Sequence, residues 1–277
     1  MKRIFVSLVS ILLLISCSGL SDAEKAAALV DSARSLVVAG QLNDAKIRLD
    51  SVHYSYPKCV AQRRLAKDLQ DSIVFIEAQR TLSYSDSLLA IVQSQADPLL
   101  KKFAYEKQEQ YEDHGRYVHR LLRTDNNLER CYLQVYITDD YQAMVKSYYA
   151  GNSELFQTSL EMQSADDNQQ FSGTEHHFEL PTSPAYRSVL SLPNDRSLEL
   201  LNFVSSHMAD RIRVNLVGTR GAKPSNYVYY LSDNEKTAIQ DTYQLGVLML
   251  DIHKLEEAIR IANLQINKYQ KNHCQNS

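Results

Sequence analysis

"LMLDIHKLEEAIRIANLQINKY", Leu248 to Tyr269, carries Leu248, Ile252, Leu255, Ile259, Ala262, Ile266 and Tyr269 at alternating steps of four and three. Repeated over three heptads, that spacing predicts a helix with one narrow apolar seam, the signature of a coiled-coil interface. Upstream, Ser232 and Glu235 stand in the S-x-x-E relation of a capping box, so the helix is expected to span residues 232–272. A seam of this kind needs a second helix. Leu65, Leu69, Ile73 and Ile76 offer one within the chain, with Arg63, Arg64, Lys67, Asp68 and Asp71 turned away from them. If these two helices pair, whatever lies between them sits at the end of an antiparallel stalk. The alternative is self-association through the same seam.

The intervening sequence changes period. Residues 58–114 read as a long helix, with kinks expected near Ser83 to Asp86 and at Asp97-Pro98, where the pair reads as an N-cap followed by proline in the first turn. Beyond Gly115 the pattern alternates. "CYLQVYIT" (Cys131 to Thr138) and the stretch to Ala150 read as a hairpin turning at Asp139-Asp140. Further strands are expected around Leu155 to Met162, His176 to Leu180, Ile212 to Val217 and Tyr227 to Leu231, while Leu198 to Met208 suits a short helix. Residues 115–231 thus form an antiparallel β domain, as an open sheet or a sandwich. The expected class is α+β: an N-terminal helical hairpin and long helix, a central antiparallel β domain, and a C-terminal helix packing back as a coiled-coil-like stalk, with 273–277 as a tail.

At the other end, Lys2 and Arg3 precede an apolar run from Ile4 to Ile15, shorter than the roughly 20 residues of a membrane span. A basic start followed by a short apolar stretch is the pattern of a secretory leader that is cut away, here residues 1–16. The four residues Leu14-Ile15-Ser16-Cys17 resemble the bacterial lipobox. That resemblance implies that Cys17 is acylated and becomes the mature N-terminus, with residues 17–21 as tether. Several acyl chains hold a protein to a bilayer durably where one does not.

Residues 22–57 read as a helical hairpin. Gly40, Leu42, Ala45, Leu49, Val52 and Pro57 fall where the second half of a tetratricopeptide repeat has its signature, with Leu42 and Val52 departing from the usual Tyr and Ala. The resemblance covers one unit. A single repeat makes no peptide groove, so the expected role is a hairpin docked on the next helix.

The chain has 277 residues, and a formal charge of −3 that loss of Lys2 and Arg3 makes more acidic; this argues against a nucleic-acid surface. There is no H-E-x-x-H, C-x-x-C, G-x-S-x-G or Walker loop. In "GTEHHFELP" (Gly173 to Pro181), His176 and His177 would point to opposite faces of a strand, unsuited to sharing one metal. No catalytic residue, metal or cofactor is therefore expected. With Cys17 acylated, Cys59, Cys131 and Cys274 remain in a compartment that permits disulfides. Cys131 falls on the apolar face of its strand and reads as a buried thiol, while Cys59 and Cys274 meet only if their helices run antiparallel.

The binding candidates are aromatic. Of 17 tyrosines, Tyr132, Tyr136 and Tyr148 fall on one hairpin face and Tyr227 and Tyr229 on another strand, while "GTRGAKP" puts Arg220 and Lys223 on a hairpin tip. Exposed, such a stripe binds a glycan or a partner protein; covered, it is packing. With "LLKKFAYEKQEQYEDHGRYVHR" (Leu99 to Arg120), "RIRVNLVG" and "YYLSDNEKTAI", the chain resembles cell-envelope lipoproteins of the Bacteroidetes. This implies an outer-membrane address and supplies no activity. The expectation is a lipid-anchored, non-enzymatic envelope protein that presents its β domain to an envelope partner; the alternative is glycan or small-ligand binding by the tyrosine face.

Overall fold

The computed structural model describes residues 20–107, 114–177 and 185–274, and no side chain for residues 177, 273 and 274. The leader, Cys17 and residues 275–277 of the tail lie outside them, as does the side chain of Cys274 and with it any pairing to Cys59. The chain divides into two compact units, one running to Asp86 and resuming at Glu257, the other formed by Ser87–Glu256.

The first unit is helical. Helix α1 (Asp22–Val38) opens on a reciprocal capping box: Glu24 N–H donates to Ser21 Oγ at 3.3 Å, and Ser21 N–H donates back to the Glu24 carboxylate at 2.7 Å. Gly40, with φ +78°, turns the chain into α2 (Leu42–Ser55), a backbone region that costs a glycine little. Ala26, Val30 and Ala33 of α1 are buried with Leu42, Ala45, Leu49 and Val52 of α2, the small residues allowing the axes to approach. The hairpin docks on α3 (Val60–Leu100) through Ala66 and Ile73, with Lys46 bound to the Glu77 carboxylate at 2.6 Å. Of the expected row on α3, Ile73 is buried and Leu69 and Ile76 pack half-buried against the same cluster, while Leu65 is 46% exposed and Ala66 is buried beside it. The C-terminal part of α5 (Asp233–Cys274) closes this unit. Tyr269 stacks on Phe75 with ring centroids 4.5 Å apart and lies 3.1 Å from Ser72 Oγ.

Neither expected kink position interrupts the helix. Helix α3 is a single run of 41 residues, Ser85 is buried within it, and Asp97-Pro98 lies in its last turn instead of opening a new helix. Nor does it reach residue 114. Pro98 offers no N–H to continue the ladder, and after Lys101 and Lys102 the chain extends as β1 (Phe103–Glu106).

The second unit holds two antiparallel sheets. One has the order β1-β2-β3-β4-β8-β7, adding β2 (Arg116–His119), β3 (Tyr132–Thr138), β4 (Ala143–Gly151), β7 (Thr174–His177) and β8 (Tyr186–Ser191). The other, β10-β9-β5-β6, is made of β5 (Phe156–Gln163), β6 (Asn168–Ser172), β9 (Arg213–Arg220) and β10 (Lys223–Tyr230). Between them Leu133, Val135, Ile137, Leu160, Met162 and Leu216 pack with Leu201 and Val204 of α4 (Asn194–Ser206), the short helix expected near Leu198. Buried Gln157 joins the sheets, its amide donating to Ser188 Oγ at 3.0 Å and to Ser147 O at 3.2 Å. The ends of the long helices meet antiparallel here too: Lys102, just past α3, binds Asp241 of α5 at 2.8 Å. The seam residues of α5 are buried or half-buried throughout, while Leu264 and Ile261 beside them are exposed. The seam thus finds its partner within the chain.

Candidate functional site

The tyrosines do not assemble into an open face. Tyr132 and Tyr136 are 1% and 6% exposed. Residues 120–126, between β2 and β3, form two short 3-10 turns over this side of the sheet, and buried Gln134 donates to Thr124 Oγ1 at 2.9 Å and to Leu122 O. Half-buried Tyr148 stacks on Tyr132 at 4.8 Å and donates to Gln134 Oε1, while Arg116 and Lys146 lie 5.7 and 5.6 Å from the Tyr136 ring. Both faces of β3 are therefore packing. The expected alternation of covered and open sides holds for β4, where Ala143, Val145, Ser147 and Tyr149 are buried and their neighbours are not.

Tyr227 and Tyr229 belong to the other sheet. Tyr227 is 41% exposed and sets its ring against Tyr149, whereas Tyr229 packs on the core, and burial pushes its phenol far above the ordinary range. Arg220 and Lys223 face each other at the exposed β9–β10 tip. Cys131 is a buried free thiol, as its place in the strand predicts, with its pKa raised by burial. Glu175 and His176 lie on edge strand β7; the side chain of His177 is outside the described residues.

Two polar clusters were not legible in advance. His119, 4% exposed, lies with Nε2 3.3 Å from Asp241 Oδ2, whose carboxylate also binds Lys102. Burial lowers the imidazole pKa against the opposing pull of Asp241. The cluster joins β2, the β1 entry and α5. At the β3–β4 turn, one ligand atom each from His114, Asp139 and Asp140 lie within 4.8 Å of one another. Asp139, however, is already engaged: Gly115 N–H donates to it at 2.9 Å, Tyr105 OH at 3.2 Å, and His114 Nδ1 lies at 2.9 Å. These contacts hold its carboxyl below the usual range and pin the turn to β1 and β2.

The concave site lies where α5 crosses the ends of β3 and β4. A cavity of about 200 Å3 is walled by Ile137, Ala143, Leu201, Tyr243, Gly246 and Leu250, with the amides of Gln142 and Asn194 at its edge. Asn194 donates to Ala143 O at 3.1 Å, tying α4 to β4 and fixing one wall. Gly246 sets the floor: a Cβ there would sit 2.9 Å from Ile137 Cδ1, so glycine lets the helix close on the strand. Leu198, Val247 and Leu250 form an exposed apolar rim, and Tyr141 at the edge stacks on His253 at 4.5 Å. A shallower depression of about 570 Å3, lined by Leu99, Gln95 and Leu248, shares Tyr243 and Val247 with it. No nucleophile and base converge in either hollow. No family model, curated protein or solved structure matches the chain.

Proposed function

We propose that the chain is a lipid-anchored envelope protein that acts by protein contact, with no reaction of its own, and that the β unit carries the contact surface. The anchor reading rests on the basic start, the short apolar run and Leu14-Ile15-Ser16-Cys17. The contact reading rests on one observation: an apolar hollow rimmed by exposed Leu198, Val247 and Leu250 on packed elements of the β unit. Single exposed leucines are ordinary on protein surfaces; three around a preformed hollow are what an interface anchor needs. The buried tyrosines give a glycan platform no comparable support.

A photo-crosslinking residue placed at Leu198 or Val247 in native cells tests this. The expected result is a discrete adduct with an envelope protein from both positions and none from Arg220 on the exposed hairpin tip. Adducts of equal yield from all three, or from none, would rule the contact out.

A further inference from the structure

We propose that the hollow between β3, β4, α4 and α5 receives one large apolar side chain of a partner polypeptide segment whose flanking residues are lysine or arginine. This deepens the contact reading above and rests on it.

The size of the hollow sets the anchor. A cavity of roughly 150 Å3 holds benzene, so the site's volume of about 200 Å3 suits a phenyl or branched aliphatic group, with Ile137, Leu201 and Leu250 as its apolar walls. The shared ridge of Tyr243 and Val247 carries the segment onward into the shallower depression, where a second apolar group finds Leu99 and Leu248. The charge around the rim sets the flanks. Asp195 stands one turn before Leu198 on α4, and Asp140 immediately precedes Tyr141. Neither carries an ion pair among the described residues, Asp140 accepting only the amide of Gln142. The cations on the same turns are already committed: Arg196 binds Glu199 at 2.7 Å, and Lys254 lies 3.9 Å from Asp251. Arg196 is shared between Glu199 and Asp195, and His114 stands beside Asp139 and Asp140, so carboxylates outnumber cations on these turns and the rim carries net negative charge beside an apolar anchor point, complementary to a segment with a basic flank and hostile to an acidic one.

The test is a random dodecapeptide library on phage, panned against the purified full chain and counter-selected on the Leu250→Asp variant, used once its circular dichroism melt matches that of the wild type and replaced by Val247→Asp if it does not. The expected consensus is Phe, Leu or Ile with Lys or Arg within two positions. Its synthetic peptide should bind at least about tenfold more weakly to Leu198→Asp and weaken again in about 0.5 M salt, where exposed charges are screened. The Asp140→Asn, Asp195→Asn double variant should keep the apolar preference and lose the basic one. No enrichment, an acidic or neutral flank, or peptide binding undiminished in Leu198→Asp overturns the proposal, as does a concentration-dependent dimer that Leu250→Asp abolishes, which would make a second copy the occupant. Failure of the peptides with crosslinks at Leu198 and Val247 retained removes the assigned chemistry alone; loss of the crosslinks removes the contact reading itself.

Discussion

Tyr229 and His119 show what burial does to single polar groups. The Tyr229 hydroxyl is enclosed with no hydrogen-bond partner among the described residues. An unpaired buried donor costs about 1–3 kcal/mol, so Tyr229→Phe, which keeps the ring, should stabilise the protein by about 1 kcal/mol in urea denaturation. A loss of stability would mean that the hydroxyl has an unseen partner. For His119 the sign follows from linkage. Its folded pKa is depressed below the ordinary value of about 6.5, so below that pH the unfolded chain binds the proton more readily and stability falls as pH drops. The slope cannot exceed about 1.4 kcal/mol per pH unit for one proton. His119→Gln should flatten the profile of folding free energy below about pH 6.5; a variant that keeps the wild-type slope would assign it to other groups. Neither role could be read in advance, because a tyrosine or histidine in a strand does not announce which side will be covered.

At the scale of elements, legibility followed how far each pattern repeats. The α5 seam was readable because its four-three spacing continues from Leu248 to Tyr269, and the α1–α2 hairpin because Gly40, Ala45 and Leu49 each have a steric reason to stand where they do. On α3 Leu69, Ile73 and Ile76 do pack on the hairpin core, but the buried positions also include Ala66, Ala78, Ser85 and Ala96, small residues that carry little weight in a hydrophobic pattern, so they went unread and Ser85 read as a break. Strand β1 is four residues long, too few for a period of two to show after a long helix. The hollow was harder still, since Ile137, Leu201 and Gly246 come from three distant segments; an isolated glycine inside a helix was its one local signal. Among the small residues Ala45 gives the sharpest test. It is fully buried where α1 and α2 approach, and Ala45→Leu should cost about 1–3 kcal/mol by overpacking, seen as a lower thermal midpoint. An unchanged midpoint would mean that the hairpin has room to spare.

For the whole molecule, the proposal to test is the lipid anchor. No helix among the described residues is long and apolar enough to cross one, and the apolar stretch before Cys17 falls short of the roughly 20 residues that a span requires. On the lipobox reading proposed above, covalent lipid would supply the attachment, each buried CH2 contributing about 0.8 kcal/mol and the combined chains a hold that one alone lacks. Fractionation cannot test this cleanly, because on the same reading a Cys17→Ser chain would keep its leader, which is itself apolar. Radiolabelled palmitate can. Cells expressing the wild-type chain should yield labelled protein, and Cys17→Ser should yield none while accumulating at the larger mass of the uncleaved form. Label retained in Cys17→Ser would move the acylation to another residue. An unlabelled wild type cut at the same place would leave an exported protein without an anchor, and its partner at the Leu198 and Val247 rim would then be met in solution instead of at the bilayer.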